Sequence, residues 1–376
     1  MAAGRLRSAV SAAVSWPLRH VKTVLHWILV AAALGYIAWQ LPEMVRAVRE
    51  AGDPLSHLRP GWLGLAVLLA VAALVLYGEL HRVMLAIGGA RVPGRTVQAI
   101  TFAENAIANT VPVVGGAGAL AYSIARLRSR GVDAALASWS VFLPGALSTI
   151  VLLVGAVFVV AAAGWMPMWL AVLVGAAITI GTMGFWSVLT HASVLHRILL
   201  GLVHLWRRVP GVCHDCRNSW ASDPEATANR LAERINILHP TPLQWLLLAG
   251  TALASWAADF LALHACSVAL GLDARWETLA LGFLVVQLSI ALQVLPGGAG
   301  LAETGLLGVL LAAGAPAAPA AATVLVYRLI TWLGLSVAGW VVYAVQIHLT
   351  PPHWHRHRAA ATEEEHGLPP GTVPGT

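Results

Sequence analysis

Apolar residues in this chain run in long continuous stretches rather than at the alternating or amphipathic spacing of a soluble fold. Six stretches, at 24–41, 62–79, 134–160, 168–189, 243–270 and 317–345, approach or exceed the ~20 residues that carry a helix across a bilayer. Two further stretches are interrupted. Residues 97–112 lead into Val113-Val114-Gly115-Gly116-Ala117-Gly118 and then 119–127. Residues 279–294 lead into Leu295-Pro296-Gly297-Gly298-Ala299-Gly300 and then 301–313. A limb of roughly 16 residues or fewer suits a hairpin that enters and leaves by one face better than two crossings. The pattern predicts an all-α polytopic membrane protein with six transmembrane helices and two broken, re-entrant helical hairpins.

Composition fits this reading. Of the 376 residues 58% are hydrophobic and 11% charged, and the mean hydropathy is +0.75; on a soluble protein that ratio would leave one large apolar surface. Charge then orients the spans. With a cytoplasmic N-terminus, and with each hairpin returning to the face it entered, just four of the 23 Lys and Arg residues (Arg46, Arg49, Arg59 and Arg275) fall outside. Arg328 falls inside the membrane, and the rest lie on the cytoplasmic side, as the positive-inside rule requires. Both termini are expected in the cytoplasm of a cell whose inner membrane holds the protein. Residues 1–22 are a basic N-terminal segment and 23–350 the membrane domain. Residues 191–242 form a basic cytoplasmic loop and 351–376 a disordered tail.

The same topology makes span, hairpin and span occur twice, over 62–160 and 243–345, with opposite orientation. Gly-Gly-Ala-Gly recurs at 115–118 and 297–300, Pro112 and Pro296 precede it, and Gly131 and Gly314 follow. Inverted repeats with broken helices near the midplane are a transporter architecture. Small-residue packing motifs in ordinary helices are the alternative.

Several chemistries are excluded or unsupported. Lys22 is the one lysine, so no Walker A loop is present, and neither a zinc-protease nor a serine-hydrolase signature occurs. Cys213 and Cys216 form a C-x-x-C without enough neighbouring ligands for zinc. His353, His355 and His357 read as part of a solvated tail. No metal, cofactor or nucleic-acid partner is expected.

Ionisable groups within spans are functional candidates by default. Glu104, Asp259, Glu303 and Arg328 are such groups. Asn105 and Asn109 share a helical face with Glu104 beside it, and the stripe approaches Gly115, Gly116 and Gly118. Gln287 and Gln293 approach Gly297, Gly298 and Gly300 from the other side, with Glu303 just past the break. A broken helix exposes N–H groups that attract phosphate, and Arg328 would add a fixed positive charge. A structural ion pair between Glu303 and Arg328 is the competing reading, as is hydrogen bonding that closes the hairpin for Glu104, Asn105 and Asn109. Asp259 with His264 reads either as a proton relay or as an interhelical hydrogen bond.

Two motifs resemble a known family. Asn109-Thr110-Val111-Pro112 with Gly115-Gly116-Ala117-Gly118, then Arg126 and Gly131, is similar to the first motif of the lysylphosphatidylglycerol synthase transmembrane, or flippase-like, family. The run from Leu295 to Glu303, then Gly314 and Tyr327-Arg328-Leu329, resembles the second, and the resemblance covers residues 25–348. It implies movement of a phospholipid or polyprenyl-phosphate lipid, with a synthase or glycosyltransferase as a partner. Because the aminoacyl-transferring domain of two-part members is missing from this sequence, synthesis of the modified lipid is not expected. A membrane enzyme or accessory subunit and a non-catalytic scaffold are the alternative functions.

Overall fold

The structure, a computed structural model, describes residues 35, 58–111, 115–190, 240–292 and 295–349, with side chains to 184 and 346 in the third and last segments. Its elements in chain order are α1 (Pro60–Ile87), α2 (Gly94–Thr110), α3 (Gly115–Arg128), α4 (Ala134–Ala162), α5 (Met168–Thr190), α6 (Pro242–Ala269), α7 (Trp276–Ala291), a 3-10 turn (Pro296–Gly298), α8 (Leu301–Ala312), α9 (Ala317–Arg328), a π turn (Leu329–Gly334) and α10 (Leu335–Leu349). No strand occurs among the described residues.

Three helices of 28 or 29 residues, α1, α4 and α6, are long and apolar enough to cross a bilayer, and the run Ala317–Gln346 through α9 and α10 is a fourth. α5 is a further apolar helix. The chain is an all-α polytopic membrane protein. The predicted first span at 24–41, the segment 1–22, nearly all of the 191–242 loop and the 351–376 tail lie outside the described residues.

The apolar surface faces outward, as lipid requires. Leu68, Phe142, Ile180 and Leu246 are each more than 60% exposed. Trp62, Trp165, Trp169 and Trp276 are exposed at helix ends or in a connecting turn, the position of aromatic residues at a membrane interface.

Both predicted interruptions are present. α2 has 17 residues and α3 has 14; α7 has 16 and α8 has 12. At 1.5 Å per residue none of these limbs exceeds about 26 Å, short of a ~30 Å hydrocarbon core. Each pair is preceded and followed by a long apolar helix. Gly131 and Gly314, both at φ 84°, end the second limb of each pair. In both cases the next residue's N–H closes back on the helix, Val132 on Leu127 at 3.2 Å and Ala315 on Leu310 at 3.0 Å. A side chain would resist that left-handed turn, which explains the recurrence of glycine there.

The chain divides into two compact units. One takes 1–71, 105–118 and 259–340; the other takes 72–104, 119–258 and 341–376. In the first unit α7 and α8 pack antiparallel, with Gly282 facing Leu306 and Gly305 facing Val285. Leu279, Leu306, Leu310, Tyr327 and Trp340 are its buried core. In the second unit Leu80, Met84, Leu143, Leu248 and Ala252 form one cluster, and Leu85, Val97, Ile100, Leu127 and Val141 another. Ser255 donates to the Ala73 carbonyl and Trp256 to that of Ser148, both at 2.8 Å, which fixes α6 to α1 and α4 there.

A Cβ at Gly305 would come within 2.4 Å of Val285 Cγ1, whereas at Gly308 it would meet open space. Val285 is β-branched and cannot swing aside. Gly305→Val should therefore lower the stability of the detergent-solubilised protein by about 1–3 kcal/mol, read as a lower melting temperature. Gly308→Ala should leave melting unchanged or raise it. Equal melting of the two variants would refute the close packing of α7 on α8.

Candidate functional site: the meeting point of two helix breaks

The second break is built from three left-handed glycines in a five-residue stretch. Leu295 is extended, Gly297 and Gly298 turn the chain at φ 58° and 69°, and Gly300 starts α8 at φ 82°. Local bonds close part of the turn, from Gly298 N–H to the Leu295 carbonyl at 3.0 Å and from Ala299 N–H to the Pro296 carbonyl at 3.1 Å. Glu303 accepts the Gly300 N–H at 2.6 Å, so the third residue of α8 caps its own helix.

Two of these glycines are required for space as well as for φ. A Cβ on Gly297 would lie 2.1 Å from the Trp332 indole nitrogen, and one on Gly298 would lie 3.1 Å from the backbone of Ser289 and Ile290 in α7. The turn is therefore pressed against α7 on one side and the π turn on the other.

Arg328, the last residue of α9, is 1% exposed. Its Nε donates to Glu303 Oε1 at 2.7 Å, and Nη2 donates to the Gly297 carbonyl. Its guanidinium carbon sits 5.2 Å from the centre of the Trp332 ring. A guanidinium without water needs such partners, and the break needs a donor for its freed carbonyl. One side chain meets both needs.

Trp332 and Trp340 then hold the first break. Trp332 donates to the Asn109 carbonyl at 3.1 Å, and Trp340 donates to Thr110 Oγ1 at 3.0 Å. Both acceptors lie in the last turn of α2, whose carbonyls lack intrahelical partners. Asn109 Nδ2 donates back to Asn105 Oδ1 at 2.9 Å and to its carbonyl at 3.0 Å. Asn105 Nδ2 is buried without a partner.

The two breaks enclose a cavity lined by Ala108, Asn109, Val111, Ile290, Leu295, Pro296 and Gly297. It has room for roughly one water molecule.

Most candidates from the sequence converge here. Asn109 and Gly297 line the cavity, and Gly298, Gly300, Glu303 and Arg328 form the turn behind Gly297. Asn105 anchors Asn109. Gly115, where a Cβ would meet the Ala108 carbonyl at 2.7 Å, packs against α2, and Gly118 faces Ile107. Gly116 is in the first turn of α3. Gln293 lies outside the described residues. Glu104 belongs to the other unit, where its carboxylate accepts from Ser123 at 2.7 Å.

Asp259 accepts from Gln287 Nε2 at 3.0 Å and from Tyr327 OH at 2.9 Å. These bonds join α6, α7 and α9 as interhelical ties. His264 Nδ1 is buried without a partner.

Sequence reasoning missed Trp332 and Trp340, and noted Tyr327 only as part of the second motif. Their signal was weak: each reads as one more apolar position in a span, though Trp332 follows Arg328 by one turn.

The family model described as the lysylphosphatidylglycerol synthase TM region matches residues 18–339. The chain is an integral membrane protein and belongs to that family. No curated protein matches the chain.

Arg328→Ala would leave the Glu303 carboxylate and the Gly297 carbonyl without their donor. Breaking a buried pair on one side costs about 3–5 kcal/mol, somewhat less here because Glu303 keeps 19% of its side chain exposed. The variant should melt well below the wild type, while Glu303→Gln with Arg328→Met should recover much of the loss. A double variant no more stable than Arg328→Ala would show that the pair is not what holds the break.

Proposed function

We propose that this protein moves a lipid with a phosphate-bearing head group between bilayer leaflets. The observation that carries the reading is the polar cavity enclosed by the two breaks, with Asn109 on one lip and Gly297 on the other. Family membership supports a role on membrane lipid. The lack of a Walker A lysine agrees with movement that uses no ATP hydrolysis by this chain.

In this reading the two span–hairpin–span segments are an inverted repeat whose hairpins enter from opposite faces. The head group passes through the gap between the hairpin tips while the acyl or prenyl chains stay in hydrocarbon. Asn105 and Asn109 offer side-chain donors to its oxygens, Gln293 is a further candidate by its place in the sequence, and the glycines at 115, 116, 118, 297, 298 and 300 let the head group approach the backbone closely. Glu303 and Arg328 keep the second turn open and in register. A cavity the size of one water represents the closed stage, so the tips must separate to admit a head group.

Full-length protein in phosphatidylglycerol vesicles, with a head-group-labelled phospholipid, tests this by the rate at which an impermeant quencher loses access to the label. Wild type should exceed protein-free vesicles by at least about tenfold. Asn109→Leu replaces a polar lip with methyl groups and should cut the excess rate by roughly tenfold, with little change in melting. Exchange no faster than in empty vesicles for phospholipid and polyprenyl-phosphate probes alike would sink the proposal. So would full activity in Asn109→Leu.

A further inference from the structure

The second unit contains a buried polar cluster that the head-group path does not use. Glu104, on α2, is 8% exposed, and among the described residues its carboxylate accepts one hydrogen bond, from Ser123 of α3. It forms no ion pair among the described residues. Ser123, fully buried, is suited to either charge state of its partner. Its hydroxyl donates to a carboxylate and, on rotation, accepts from a carboxylic acid.

One helical turn earlier on α2, Thr101 meets His81 of α1, with Oγ1 and Nδ1 3.4 Å apart. The Thr101 hydroxyl proton is already directed to the Val97 carbonyl at 3.1 Å. With that proton spent on Val97, the pair closes when Nδ1 carries the ring proton, the tautomer that leaves Nε2 as an acceptor. His81 is 4% exposed, and Nε2 is buried with no hydrogen-bond partner among the described residues. The Val141 carbonyl of α4 lies beside the imidazole. Tyr77, one turn from His81 on α1, packs its ring edge-on at 4.8 Å and lies within electrostatic reach of Glu104.

Toward the end of α1, Glu79 accepts from Gln98 of α2 at 3.2 Å and pairs with the half-exposed Arg82. Gln98, Thr101 and Glu104 recur every three residues, so they share one face of α2. Polar side chains on this face thus recur between the exposed charge at Arg82 and the buried carboxylate.

Resting on the translocator reading, we infer that His81 and Glu104 form a proton-binding relay that couples lipid movement to a proton gradient. A proton leaves hydronium, is held as N–H on His81 or O–H on Glu104, and returns to water at the other face. O–H and N–H bonds alone are made and broken, and no electron moves. The other titratable groups facing the pair are Tyr77 from α1, Tyr122 and Arg126 from α3, and Tyr343 from α10, which packs on Tyr122. α4 contributes the Val141 carbonyl, and residues 242–258 of α6 carry no titratable side chain. Asn105, the neighbour of Glu104 on the same helix, begins the stripe that ends at Asn109.

The test pairs two measurements on full-length protein. Infrared difference spectra across a pH titration read the carbonyl stretch of a protonated, buried carboxylic acid. Vesicles loaded with a pH dye read proton uptake while labelled phospholipid exchanges under an imposed pH gradient. Wild type should show the carboxylic band, and lipid exchange should respond to the gradient with matching proton flux. Glu104→Gln should erase the band and cut the proton flux by about tenfold or more, and Glu104→Asp should restore part of both. His81→Gln should keep the band and slow the flux. If Glu104→Gln does not fold, Ser123→Ala carries the test by shifting the band's titration midpoint by about one unit.

A wild-type band that survives in Glu104→Gln, or lipid exchange indifferent to the gradient and without proton flux, overturns the relay while leaving the translocator standing. A band lost in Glu104→Gln, in a protein that moves no lipid, leaves the proton site standing and refutes the translocator.

Discussion

A helix broken inside hydrocarbon leaves carbonyls and N–H groups with no water to receive them, and the architecture here follows from how that need is met. At the second break the Arg328 guanidinium bonds the Gly297 carbonyl and the Glu303 carboxylate. Glu303 in turn caps Gly300. The charge is acceptable because it is paired, and the pair is positioned because the turn requires it. The ion pair and the glycine turn therefore support each other.

From that junction the order extends through tryptophan. The Trp332 indole lies against Gly297, under Arg328, and donates to Asn109. Trp340 repeats the device at Thr110. Indoles suit this work because they bury a large apolar body and carry a single donor. The π turn between Leu329 and Gly334 helps to place Trp332 where a regular helix would direct it elsewhere, and such turns often accompany functional positions. The cavity between the breaks is small because these ties draw the tips together.

Much of the fold was legible in the sequence. Uninterrupted apolar runs gave α4, α6 and the α9–α10 span within a few residues, and α1 short by eight residues at its polar C-terminal end. Pro and Gly clusters marked both breaks; at the second the glycines make left-handed turns, whereas Gly115, Gly116 and Gly118 open α3. The recurrence of Gly131 and Gly314 pointed to equivalent helix ends. Glu303 and Arg328 stood out as charges in apolar surroundings, and the choice between a ligand role and an ion pair needed coordinates. Glu104 was read either with the stripe approaching the break or as a hydrogen bond that closes the hairpin, and its partner Ser123, nineteen positions away, needed coordinates to find. Trp332 was hidden for a related reason: in a span, a tryptophan serving as a donor looks the same as one facing lipid.

The contact between Gly297 and Trp332 also constrains how this lineage can diverge. An indole fills the volume that any larger residue at 297 would need, and that indole is the one bonded to the opposite hairpin tip. Drift at either position alone meets a steric or a polar penalty, so the two should be inherited as a linked pair. Descendants that exchange both together would mark a branch in which this contact has been rebuilt.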